Sequence, residues 1–208
     1  CSSGWYEMVE HIVVNGYAIY GEGTDRLQIV INLFGSCCSA GYFAKPVAFR
    51  IDRKRGGTSR EAKIYNNIFY DCKEAAIKFP TKDNDAQGNL YVRMPGGALR
   101  VLYPAPETCL DLASWQEFHG FDKQGQQGWF DIKVDTENYT LQVCEAEVKP
   151  GSRSLSDVTT AYVENAAQIG TVSCREGVSE DFFGKKSMRF CLPGPFAGLK
   201  DGEVYKID

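Results

Sequence analysis

Ile29-Val-Ile-Asn32-Leu-Phe34-Gly-Ser-Cys37 and Ile64-Tyr-Asn-Asn67-Ile-Phe69-Tyr-Asp-Cys72 are two copies of one pattern, set 35 residues apart. A third copy begins at Asn89-Leu-Tyr91, 22 residues further on. Around them, the first 105 residues read as short runs of β-branched and aromatic side chains divided by Gly, Asn, Asp and Pro, without a sustained helical period. Self-similarity at periods of about 20 to 50 residues is the mark of a solenoid. An Asn followed by an apolar and an aromatic residue then predicts a coil in which Asn stacks on Asn at each bend.

A second set of strands supports the same reading. Ala18-Ile-Tyr-Gly-Glu22, Ala48-Phe-Arg-Ile-Asp52 and Ala76-Ile-Lys-Phe-Pro80 align with one another. Side chains alternate across a strand. Ile19, Phe49 and Ile77 therefore stack inward, with Gly21, Ile51 and Phe79 two residues on. Tyr20, Arg50 and Lys78 face outward, followed by Glu22, Asp52 and Pro80. Coils of this kind bury their inner faces only against neighbours. A chain that opens at Cys1 without a cap or a Met is expected to be the last turns of something longer.

Past Ala105 the character changes. Asp111 through Gly120 predicts a short helix with an acidic start, Leu112 and Trp115 on one face, and glycine at its stop. Trp129-Phe-Asp-Ile132 and Tyr139-Thr-Leu-Gln-Val143 return to strand character, and 149–168 is polar enough to wrap the surface. Two parts are expected: coils over 1–105, then helix, final strands and C-terminal cap over 106–208 of the same domain.

Composition narrows the function. The chain has 208 residues, 43% hydrophobic, 24% charged and 12% aromatic, which excludes disorder. A net charge of −4 and a pI near 5.3 remove the electrostatic case for a nucleic-acid partner. No run reaches the roughly 20 apolar residues of a membrane helix, and no charged-then-apolar signal peptide opens the chain. Oligomeric state is not legible. None of the eight cysteines forms a C-x-x-C pair, so no zinc site is expected. Cys37 and Cys72 suit buried free thiols, and Cys174 with Cys191 is the expected bridge. His11 and His119 are assigned to packing or capping.

Tyr65-Asn-Asn-Ile-Phe-Tyr-Asp-Cys72, Gly88-Asn-Leu-Tyr91, Leu112-Ala-Ser-Trp-Gln-Glu-Phe-His-Gly-Phe-Asp122, Asp181-Phe-Phe-Gly-Lys185 and Pro193-Gly-Pro-Phe196 follow one another in an order with a family likeness. It resembles the C-terminal part of bacterial right-handed parallel β-helix proteins of the pectate-lyase-like superfamily. The chain departs from them at Gly128-Trp-Phe-Asp131, where an Asp-Pro-x-Phe turn is common. The resemblance implies an all-β fold and an exported protein, extracellular, periplasmic or surface-attached, acting on a complex acidic polysaccharide or oligosaccharide. It is specific for architecture, since hydrolases, lyases and non-catalytic modules share it.

Candidate chemistry follows from the outward rows. Glu22 and Asp52 fall at one position of adjacent strands, where mutual repulsion would keep one protonated and the other charged, the condition for acid and base work. Glycoside hydrolysis uses such a pair. Arg50, Arg53, Lys54 and Arg55 with Tyr20 and Lys78 are the expected substrate contacts, arginine suiting a uronate carboxylate. No cofactor is needed. A lyase would instead use Lys54 or Arg55 as base, with calcium the metal that alternative admits. A non-catalytic glycan-binding module would keep the rows and tolerate loss of Glu22 and Asp52.

Overall fold

The computed structural model describes residues 6–9, 12–14, 19–22, 27–30, 32–35, 47–52, 60–72, 74–158 and 200–207. The opening strands are β1 (Tyr6–Val9), β2 (Ile12–Val14), β3 (Ile19–Glu22), β4 (Leu27–Val30), β5 (Leu33–Gly35) and β6 (Val47–Asp52). Next come β7 (Lys63–Tyr65), β8 (Ile68–Tyr70), β9 (Ala75–Phe79), β10 (Asp85–Gln87), β11 (Leu90–Val92), β12 (Leu99–Val101) and β13 (Thr108–Leu110). Helix α1 (Leu112–His119) follows, then β14 (Gln126–Gly128), β15 (Phe130–Asp135), β16 (Thr140–Glu145) and β17 (Val204–Lys206).

Hydrogen bonding sorts these strands into four sheets: β1-β4-β7-β10, β14-β11-β8-β5-β2, β13-β12-β9-β6-β3 and β15-β16-β17. Pairing is parallel throughout the first two and along β3, β6, β9 and β12. It is antiparallel between β12 and β13 and throughout the fourth sheet. The expected closed right-handed parallel β-helix of pectate-lyase-like type is corrected accordingly. The strands are three to six residues long and form four separate sheets, not one continuous curled coil. Left-handed bends at Asn66, Asp71, Gly88 and Arg93 turn the chain from one sheet to the next. Among the described residues what results is an all-β arrangement of mixed topology with one short helix.

Two cores hold it. Ile29, Ile64 and Ala86 of the first sheet, Phe69 and Tyr91 of the second, and Ile77, Phe79, Leu99 and Val101 of the third share the first core with Trp115 and Phe121. The second lies on the other face of the second sheet. There Leu33, Ile68, Leu90 and Val92 meet Phe130, Ile132, Leu141, Val143 and Tyr205. The second sheet is thus covered on both sides, which is why Ile68-Phe69 and Leu90-Tyr91-Val92 read as unbroken apolar runs. Cys72 is buried and outside any disulfide. Cys37, Cys174, Cys191 and His11 lie outside the described residues.

Between the cores and the bends runs a buried ladder. Asn32, Asn67 and Asn89 stack at the offsets read from the sequence, each amide bonded to the next. The side-chain oxygen of each next rung also accepts a backbone N–H, from Asn32 and from Asn67 respectively, at 3.0 Å.

Helix α1 forms where expected. Asp111 caps its start by accepting from the Ser114 N–H at 2.8 Å, and Gly120 ends it at φ 72°. Trp115 is fully buried against Phe79 and Phe121, and His119 stacks on Phe121, so both pack as anticipated. The Ser114 hydrogen bonds hold the Asp111 carboxyl below its ordinary range. Its folded value is depressed, so its contribution is present at neutral pH and lost as acid protonates it. Asp111→Ala is expected to cost about 1 kcal/mol at pH 7 in urea unfolding. That difference should shrink as the pH is lowered through the acidic range.

Candidate functional site

The third sheet carries the outward rows. Its register pairs Tyr20 with Arg50, Arg50 with Lys78, Lys78 with Arg100, and Arg100 with Cys109. Two residues further along the first strand pair, Glu22 is the register partner of Asp52. Neighbouring strands lie about 4.8 Å apart, so the two acid-bearing positions are one strand spacing from each other. At the described end of the row, Ile77 and Leu99, next to Lys78 and Arg100 in sequence, are buried in the first core.

The described end of the row is already engaged in ion pairs. Lys78 is only 3% exposed. Its Nζ lies 3.0 Å from Glu107 Oε1, brought over it by the connection between β12 and β13. Arg100 pairs with Glu74 at 3.0 Å and also donates to the Glu74 and Gly97 carbonyls. Glu107 reaches Arg100 as well, at 3.6 Å. A lysine this buried must be paired to remain charged, and Glu107 provides the partner. Sequence alternation put Lys78 outward; it could not reveal a cover supplied from 29 residues away.

Of the other expected contacts, Arg53, Lys54 and Arg55 lie outside the described residues. Trp129 is half-buried. The Lys149 ammonium sits 3.8 Å from its ring centroid and the Arg93 guanidinium 5.5 Å. Arg93 is itself paired with Asp131. A cleft at the start of α1, lined by Met94, Pro95, Leu110, Leu112 and Gln127, involves neither Glu22 nor Asp52. Among the described residues no group of three or more His, Cys, Asp or Glu could hold a metal ion. Nor is any described helix long and apolar enough to cross a membrane.

A buried carboxyl group with altered acid chemistry was missed by sequence reasoning. Asp122 sits at φ 50° just past α1, fully buried, and closes the amide ladder. Burial raises its carboxyl to about 6 against the opposing pull of Tyr91 and Asn89. The available signal was Gly125. Gln126 pairs with Leu90, so glycine occupies the place where a further Asn would stand.

Compared with protein-family models, curated proteins and solved structures, the chain matches none.

Proposed function

We propose that the protein is a glycoside hydrolase acting on a complex acidic polysaccharide, with Glu22 and Asp52 as its acid/base pair. The observation that carries this reading is the register pairing of Glu22 with Asp52. One strand spacing of about 4.8 Å is close to the roughly 5 Å that suits a carboxylate nucleophile beside a proton donor. Two carboxyl groups so placed cannot both ionise easily, which separates their roles. With Lys78 and Arg100 taken up by Glu107 and Glu74, the positive position beside the pair is Arg50, which with Tyr20 holds the register positions nearest the two acids. Arg53, Lys54 and Arg55 follow Asp52 directly in sequence and extend that positive charge. An exported location, outside the cell or in the periplasm, belongs to the same proposal, since such polymers are met there.

The test is a digest of acidic and neutral polysaccharides, following reducing ends together with the ultraviolet absorbance of unsaturated uronates. Reducing ends without absorbance are expected. Both signals rising together would overturn hydrolysis in favour of β-elimination, with Lys54 or Arg55 as base. Neither signal across the panel would leave a glycan-binding module with no catalysis.

A further inference from the structure

Beside β14 a turn sets positive charge against an aromatic ring. In Lys149-Pro150-Gly151-Ser152 the Ser152 N–H donates to the Lys149 carbonyl at 3.0 Å, and Gly151 takes the left-handed φ of 81° that the position after proline requires in such a turn. The chain then runs along β14. Arg153 donates its N–H to the Gln127 carbonyl at 2.8 Å and accepts from the Trp129 N–H at 2.9 Å, in a parallel bridge opposite Gly128. So seated, the turn carries Lys149 over Trp129, with Nζ 3.8 Å from the ring centroid. Arg93, the residue after β11, brings its guanidinium to 5.5 Å from the same centroid.

Two cations thus meet at one half-buried indole, and a third, Arg153, is bonded through its backbone to the same residue. Among the described residues Arg93 has a carboxylate partner, Asp131, while Lys149 and Arg153 have none. Both are exposed. Lys149 rests on the indole face, and Arg153 gives one guanidinium N–H to the Asp157 carbonyl at 3.3 Å. Of the acids on the same segment, Glu145 accepts from the Leu155 and Ser156 N–H groups at 3.2 Å and Asp157 from the Ser154 hydroxyl at 2.6 Å, and Glu147 pairs with neither cation. An aromatic face fixes an ammonium in place without neutralising it. Lys78 and Arg100 differ, since a glutamate closes each of them.

We propose that Lys149 and Arg153, with Trp129 holding the lysine in position, form an anchoring site for the carboxylates of an acidic sugar chain, separate from Glu22 and Asp52. A guanidinium grips a carboxylate through paired N–H groups, and an ammonium meets it as a point charge. The site lies beside β14, at one end of the second sheet, whereas Glu22 and Asp52 stand on β3 and β6, at the opposite end of the third. The choice of a carboxylated sugar as ligand rests on the substrate class proposed above; the site itself does not depend on the hydrolysis.

The test is titration of the whole protein with oligogalacturonate, followed by NMR at the Trp129 indole N–H, in a Glu22→Gln background so that the chain is not cut. The same titration is repeated with the methyl-esterified chain and with polyglutamate. A saturable shift with oligogalacturonate alone is expected, with a dissociation constant raised about tenfold when Lys149→Gln and Arg153→Gln are combined. No shift at Trp129, an equal response to the ester or to polyglutamate, or parent-like binding by the double variant would each overturn the anchor. Binding at Trp129 without cleavage of the same chain by the parent would refute the hydrolase and support the anchor. Cleavage by the parent without a Trp129 shift would refute the anchor and leave the hydrolase standing.

Discussion

Asn67→Ala is expected to destabilise the protein by about 3 kcal/mol or more, since three buried groups and one half-buried carbonyl lose a hydrogen bond at once and each buried one costs about 1–3 kcal/mol unpaired. The Asn32 backbone N–H and Nδ2 lose the oxygen they both donate to. The carbonyls of Ile29 and Tyr65 lose their Asn67 donor. Asn67 lies in the middle of the ladder, so its removal also separates Asn32 from Asn89 and forfeits the mutual polarisation of the chain of bonds. Domains of this size carry only about 5–15 kcal/mol in total, so the variant should unfold at much lower urea. A midpoint shift worth less than about 1 kcal/mol would mean that the ladder is dispensable.

Glu22→Gln and Asp52→Asn are each expected to lower kcat on the hydrolysed polysaccharide by about 10²- to 10⁴-fold, the usual worth of a positioned acid or base. Unfolding midpoints should stay within about 0.5 kcal/mol of the parent, as is usual for substitutions away from packed or networked groups. Each variant should also lose one limb of a bell-shaped pH–rate profile, which a residue that only shapes the surface would not alter. Unchanged turnover in both variants would reduce the pair to adjacent charges on a sheet and remove the proposed chemistry.

Legibility from sequence was uneven, for physical reasons. Asn32, Asn67 and Asn89 could be aligned because like stacks on like, and an Asn at a bend has few substitutes. The limits of α1 were plain because Asp111 and Gly120 are local signals, each acting on its own end of the helix. The Glu22 and Asp52 register followed from the period of two in β3 and β6. The closed coil inferred from the repeat and from the family likeness did not follow. Repetition in sequence specifies which strands pair, and the bends between them leave separate sheets. The fourth sheet was partly hidden because β17 returns to β16 from about 60 residues away, with only the alternation of Val204-Tyr205-Lys206 to announce it. Burial of Lys78 was invisible for the same reason: its strand says outward, and a distant Glu107 changes what outward means.

The space that Gly125 leaves for Asp122 links two positions in evolutionary time. A side chain cannot appear at 125 while Asp122 reaches into the rung, and Asp122 cannot be lost without leaving the Asn89 amide and the Tyr91 hydroxyl without their acceptor. Drift at either site alone is therefore barred, and the route that stays open is a joint exchange in which a polar side chain arises at 125 as the one at 122 shrinks. Among descendants of this chain, the two positions should read as a pair: small at one, carboxylate or amide at the other.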